Sequence, residues 1–340
     1  MAEAPSVRVQ LSYNGVDISR DIAPFLNSFS YTDHAGASLD EIAVELQAID
    51  ELWGGSWFPA EGDSITASII DQDWEGPGLR GVLPCGTYEV CAIGVDGPPE
   101  RITIRGISAP LAAGLRRQRK HKAWENLRLQ AIAADIAAGA GLGLLYDTTV
   151  NPLFTRKDQQ FQSDLAFLQD FCMKNGLRLK VTSSRLVIFG EAAYEQKAPV
   201  FTVDKQAGLV TQYGFQTELT DCYRACEVSY TGAKGAGSFS ATFTPPQPPD
   251  TGEVLRISER VESQAEALER ARIALRTKNR EAERARFTVP YNRRIVGAVT
   301  GIVTHWRPRH NGTYMVDSVT HTIGAGASSS LELHKALVGY

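Results

Sequence analysis

The stretches "GTYEVCAI" (86–93) and "GTYMVDSV" (312–319) decide how this chain is read. Four of their first five positions are identical: Gly86 and Gly312, Thr87 and Thr313, Tyr88 and Tyr314, Val90 and Val316. A tyrosine and a valine two apart lie on one face of a β-strand, and a glycine before them permits a tight turn. Upstream, "GDSITASII" from Gly62 resembles "GAVTGIVTH" from Gly297. Further up, "FSYTDHAGASLDEIAVEL" (29–46) resembles "FQTELTDCYRACEVSY" (215–230) more loosely. One Gly-Thr-Tyr strand start can recur by accident. Three segments in the same order point to duplication. The expectation is two similar β-barrels or half-open sheets in one chain, with an α/β segment between them.

The flanking pattern agrees. In residues 1–108, Val7, Val9 and Leu11 alternate, as do Ile42, Val44 and Leu46, then Ile65, Ala67 and Ile69, then Ile102 and Ile104. Such alternation marks half-buried strands. Residues 109–199 change character. Leu129, Ile132 and Ile136 fall at helical spacing. A second helix is predicted in "SDLAFLQDFCMKNG", capped by Ser163, favoured by Asp164 and stopped by Gly176. "LRLKV", "TSSR" and "LVIF" then make a hairpin. Residues 200–340 return to strands around a long surface helix, 263–285. It opens on a capping box, Ser263 with Glu266, and carries the narrow apolar stripe Leu268, Ala271 and Leu275. The fold class is therefore α+β, mainly β. It comprises a first tube-like barrel (1–108), an α/β insertion (109–199) and a second barrel (200–340).

Bulk composition narrows the function. With 340 residues the chain is long for a single core. Its 43% hydrophobic and 22% charged residues are ordinary for a globular protein. "MAEAPSV" has neither the basic nor the apolar region of a signal peptide. The most apolar window, "LQAIAADIAAGAGLGLLY", is interrupted by Asp135 and glycines and does not read as a membrane span. Five cysteines, an odd and sparse set, suggest reduced thiols. A net charge of −4 weighs against nucleic acid as the main partner.

No catalytic, cofactor or metal constellation stands out. "DQDWEG" (71–76) offers Asp71, Asp73 and Glu75, but Asp and Gly favour a turn after the preceding strand. His305 and His310 are five apart, which on a strand turns them to opposite faces, and a solvated loop suits them better. The cysteines lack metal-ligand spacing and read as small buried hydrophobes.

One feature stands against the acidic total. In "GLRRQRKHKAWENL" (114–127), Arg116, Arg117, Arg119, Lys120 and Lys122 crowd into seven positions, followed by Trp124. Such a run can hold phosphate, yet it lacks the flanking aromatics of a stacking platform apart from Trp124. Solvated loop or protein–protein contact is the preferred reading. Arg and Trp are the residues enriched at interface centres.

In this order the segments resemble the phage late control D family, the tail baseplate hub proteins of contractile tails. The resemblance is carried by "PPERITIRGISAPLAAGLRRQRKHKAWENLRLQAIAADIAAGAGL" and by "QQFQSDLAFLQDFCMKNGLRLKVTSSRLVIF". The long helix followed by "GTYMVDSVTHTIGAGASSSLELH" completes it. It implies two tail-tube-like barrels around an inserted region, assembled as a homotrimer. That trimer would join a six-fold tail tube to a three-fold central spike at the virion tail tip, after assembly in the bacterial host cytoplasm. The tail tube and central spike proteins are the implied partners, with tape-measure and baseplate wedge proteins as further ones. Neither a cofactor nor membrane insertion is implied. The hub module of type VI secretion spike proteins is related, and those chains continue into a spike. A type VI hub and a tail-associated peptidoglycan hydrolase are the alternative readings. Within this picture the basic run, at the junction of the first barrel and the insertion, is expected to dock on acidic neighbouring subunits.

Overall fold

A computed structural model describes residues 4–36, 38–47, 58–108, 114–231, 238–250 and 252–340. The expected boundary at 108/109 abuts residues 109–113, which lie outside the described set. The chain is mainly β.

Its first part forms β1 (Ser6–Tyr13), β2 (Val16–Asp17), the short α1 (Ser19–Ile22), β3 (Leu26–His34), β4 (Glu41–Gln47), β5 (Ser64–Gln72), β6 (Arg80–Asp96) and β7 (Arg101–Ile107). The middle holds β8 (Arg119–Arg128), α2 (Leu129–Gly139), β9 (Gly143–Asp147), β10 (Leu153–Ser163), α3 (Asp164–Lys174), β11 (Leu177–Val181), β12 (Arg185–Gly190) and α4 (Glu191–Glu195). The last part holds β13 (Phe201–Asp204), β14 (Gln212–Thr217), β15 (Ala225–Thr231), β16 (Ser238–Phe243), β17 (Val254–Ser258), α5 (Gln264–Asn279), β18 (Glu283–Pro290), β19 (Thr300–Thr304), β20 (Gly312–Ile323) and β21 (Ala327–Lys335).

The duplication is visible in the strand pairing. The first half runs β3-β4-β7-β6-β5-β1, and the second runs β14-β18-β21-β20-β19-β13. Four of the five neighbouring pairs correspond in order and in antiparallel sense. Only the last differs, since β1 lies antiparallel to β5 whereas β13 lies parallel to β19. Registers agree residue by residue. The row Tyr31–Ile42–Gly106–Val90 matches the row Phe215–Ala285–Leu333–Val316. Both long strands carry a bulge at the same place, between Val90 and Ala92 and between Val316 and Ser318. A bulge adds one unpaired residue and sharpens the twist, so a shared one marks a shared bend.

The repeated motif does the same work twice. Gly86 and Gly312 have φ of +104° and +138°, which a side chain would strain. Tyr88 and Tyr314 are fully buried, and their hydroxyls donate to the carbonyls of Cys85 (2.6 Å) and His310 (3.1 Å). Tyr88 belongs to one buried core with Phe29, Ile42, Val44, Leu46 and Ile104. Tyr314 belongs to another with Phe201, Phe287, Val303, Leu331 and Leu333. Burying each such side chain contributes about 1.5–3 kcal/mol.

Two upstream alignments shift. Tyr88 pairs with Ile65 and Tyr314 with Gly301, so Ile65 corresponds to Gly301, one position from the alignment of Gly62 with Gly297. The counterpart of β4 is β18, not the "ACEVSY" strand. That segment is β15, which forms a separate sheet, β16-β15-β17, under α5. The helix expected over 263–285 ends at Asn279, because alternating Ala285 and Phe287 enter the barrel-like sheet as β18. Its cap is as expected, with Ser263 Oγ accepting from Glu266 N–H at 3.1 Å. Ala267, Ala271 and Leu275 form its buried stripe, while Leu268 is exposed. In the middle region α2 and α3 pack on the sheet β11-β12-β9. Ser163 caps α3 and Gly176, at φ +68°, ends it.

Candidate assembly surfaces

Two sheet halves join at one seam. The C-terminal half of β20, Ser318–Ile323, pairs antiparallel with β3. Ala35 N–H continues the ladder to the Asp317 carbonyl at 2.8 Å, and Thr32 and Thr320 meet side by side at 3.0 Å. Gly297 passes so close that a Cβ there would lie 2.8 Å from the backbone of His34 and Ala35. Its N–H donates to Asp33 Oδ2 at 2.8 Å. Lys180, from β11 of the middle region, reaches into the seam. It bridges Asp33, the His34 carbonyl (2.8 Å) and Asp40 (3.4 Å). Burial pushes the Asp40 carboxyl up to about 7 against the pull of Lys180.

A second tie holds the halves together. Arg293 Nη1 lies 2.8 Å from Asp71 Oδ1, and its Nη2 lies 2.6 Å from Glu75. Asp71 was a candidate carboxylate of the acidic stretch, and Glu75 another. Here both are engaged by a cation from the other half. A third tie anchors α4. Glu191 receives Arg178 at 2.9 Å and Arg280 at 2.8 Å, and Glu195 receives Arg276 at 2.6 Å and His334 at 2.9 Å. Burial alone would raise Glu191. Arg280, Arg178, His334 and Arg276 overcome that and hold it at about 2. His334 is driven down by burial, but its bonds to Asp317 and Glu195 win and raise it.

Each half has a strand edge left open among the described residues. Among the described residues, β14 pairs only with β18. Past Glu89, β6 pairs only with β7, so Cys91–Asp96 has one free side among the described residues. Both edges carry apolar side chains in the open: Tyr213 is 61% exposed and Val95 51%. Tyr213 leans on Trp306 at 4.5 Å, and Phe215 stacks on His310 at 4.1 Å. Neither edge was singled out from sequence.

The basic run begins in a turn, which holds Arg116 and Arg117, and continues from Arg119 onto a two-stranded ribbon, β8 against β10. Arg116, Arg117 and Arg119 are exposed, and Arg119 sits 5.0 Å over the ring of exposed Phe161. Lys120 pairs with Asp164 at 2.6 Å and Lys122 with Asp135 at 2.5 Å. Trp124 points inward, not toward a partner. It is buried, stacks on Phe167 at 5.2 Å and donates Nε1–H to Asp135 at 2.7 Å. The hydrogen bond from Lys122 holds Asp135 below the usual carboxylate range. His305 bonds Asp204 at 2.8 Å at the surface, whereas His321 is buried between Ser329 and the Ile295 carbonyl. Among the described residues no three His, Cys, Asp or Glu side chains are grouped to hold a metal ion. No helix there is long and apolar enough to cross a membrane.

The fold is thus two duplicated sheet halves joined at one seam, with an α/β unit inserted between them. The chain belongs to the phage tail baseplate hub (GPD) family, whose profile matches residues 101–327. It is 28% identical over 201 residues to the "Probable baseplate hub protein" of Escherichia phage P2. That match covers 56% of this chain and 48% of the relative, about half its length. In fold it is similar to the 43 kDa tail protein of prophage MuSo2 from Shewanella oneidensis, with a TM-score of 0.73 at 15% identity over 96% of this chain and 98% of that one. It also resembles the E. coli c3393 protein, a component of the type VI secretion system, with a TM-score of 0.56 at 11% identity over 99% of this chain and 78% of that one.

Proposed function

We propose that this chain is the structural hub of a phage or phage-tail-like baseplate, a homotrimer that adapts a six-fold tail tube to a three-fold central spike. The observation that carries the reading is the intrachain duplication: two sheet halves of matched topology, joined at the β3–β20 seam. Three such chains supply six similar halves, which can meet six equivalent tube subunits. The middle region and the β15–β17 sheet occur once per chain and can present true three-fold symmetry to a spike. Exposed Arg116, Arg117 and Arg119 serve as contacts to acidic neighbours, with tape-measure and wedge proteins as further partners. The role is scaffolding at the tail tip, without catalysis. The acidic stretch that a peptidoglycan hydrolase would draw on is engaged with Arg293 and Arg294.

The test is native mass spectrometry of the chain co-produced with its spike. A complex containing three copies of the 37.1 kDa chain is expected. A monomer or dimer in that complex would contradict the reading.

A further inference from the structure

Among the described residues, positions that are buried core at the internal seam are half-buried or open at the outer edges. By the matched registers, Ile93 corresponds to Val319, Val95 to His321, Phe215 to Tyr31 and Tyr213 to Phe29. At the seam Val319, His321, Tyr31 and Phe29 are all buried against one another's strands, whereas Val95 and Tyr213 are open. We infer that β14 of one copy adds as an antiparallel strand to the Cys91–Asp96 half of β6 in a second copy of this chain, repeating the β3–β20 seam between molecules. The occupant is a second copy because the chain carries both halves of the joint, the outward edge of β14 and the Cys91–Asp96 edge of β6. This rests on the trimeric reading above and deepens it to a strand register.

The backbone supports that register independently. Ala35 N–H donating to Asp317 makes 33/319, 31/321 and 29/323 the hydrogen-bonded pairs of the seam. On β14, Glu218 N–H donates to Ala282 O, so the even-numbered residues face β18. The N–H groups of Tyr213, Phe215 and Thr217 are therefore left facing outward. Those are the counterparts of Phe29, Tyr31 and Asp33, the residues that face β20. The expected intermolecular pairs are Ile93 with Thr217 and Val95 with Phe215. Gly94 and Gln216 stand opposite each other where Thr320 meets Thr32. Uncovered, β14 would be an aromatic edge open to uncontrolled pairing. The joint is head-to-tail, so it closes only as a ring. Three internal seams and three intermolecular ones alternate around it.

The double variant Gly94→Cys with Gln216→Cys tests the register in the full chain under mild oxidation. Gly94 has open space for a side chain and Gln216 is exposed. Non-hydrogen-bonded antiparallel pairs bring Cα atoms to about 4.5 Å, within disulfide reach. A covalent three-chain species on a non-reducing gel is expected. Each single variant should give none, nor should Gly94→Cys with Gln212→Cys, displaced four residues along the strand. Trimers that form without the Gly94–Gln216 link would overturn the strand pairing while leaving the trimer standing. Absence of any trimer would overturn both. Thr217→Pro removes one outward N–H and none that faces β18. It should abolish the trimer with an unchanged circular dichroism spectrum and melting. Retained trimers in this variant would overturn the pairing.

Discussion

Arg293 and Asp71, 222 residues apart, meet at 2.8 Å across the two sheet halves. Asp71 is almost fully buried, and a Cβ on Gly81 would fall 2.3 Å from both the Arg293 guanidinium and Asp71 Oδ2. Glycine at 81 is what lets the guanidinium through. Removing one partner of a buried pair strands the other, at about 3–5 kcal/mol. Arg293→Ala should lower stability by that order in urea denaturation, and Gly81→Ala should destabilise in the same direction by displacing the bridge. Unchanged midpoints in both variants would mean the tie carries no stability.

The α4 network gives a pH signature. Glu191 is held at about 2 in the folded chain against an ordinary 4.5. A depressed carboxyl stabilises the fold fully above its unfolded value, and this is lost as pH falls through the folded one. Glu191→Gln should therefore cost about 3–5 kcal/mol at pH 7. The gap to the parent should shrink as pH drops from 4.5 toward 2. A gap of equal size at pH 7 and pH 2.5 would show that Glu191 is not ionised against the arginines. His334 works in the opposite sense. Its raised value contributes stability below about 6.5, which is lost as pH rises through the folded value.

The residues of the basic run should separate into two groups. Arg116, Arg117 and Arg119 are exposed, and replacing all three by Ser should leave melting nearly unchanged, since exposed charges contribute about 0–1 kcal/mol each. Assembly into tails should weaken, because surface charge directs association. Lys120→Ser should instead lower the melting temperature, since it deprives the buried Asp164 of its cation. Equal melting losses in both variants would assign the whole run to folding. Loss of DNA binding with intact assembly would favour the nucleic-acid reading.

Much of this fold was legible in strings of a few residues. Gly86-Thr87-Tyr88 and Gly312-Thr313-Tyr314 carry their signal locally, in a turn glycine and a buried aromatic, so they align correctly. The β4 counterpart was misplaced because "ACEVSY" alternates as cleanly as "EIAVEL", and alternation does not say which sheet a strand joins. The α5 terminus was overrun because Arg284 and Arg286 suit an exposed helix face as well as an exposed strand face. Trp124 was read outward because its neighbours are charged. On β8 Trp124 is the one fully buried residue, with exposed positions on either side, so no alternation marks it. The open edges at Tyr213 and Val95 have no local signature at all. An edge is defined by a missing neighbour, and only the register comparison of β6 with β20 exposes it.

The central claim is that three duplicated chains make a six-part ring. Electron cryo-microscopy of the assembled tail tip tests it most directly. Three copies of the chain are expected, with six sheet halves alternating around one ring against the six-fold tube, and the single-copy regions set with three-fold symmetry on the spike side. Six copies, an open arrangement, or a ring using only one half of each chain would contradict it.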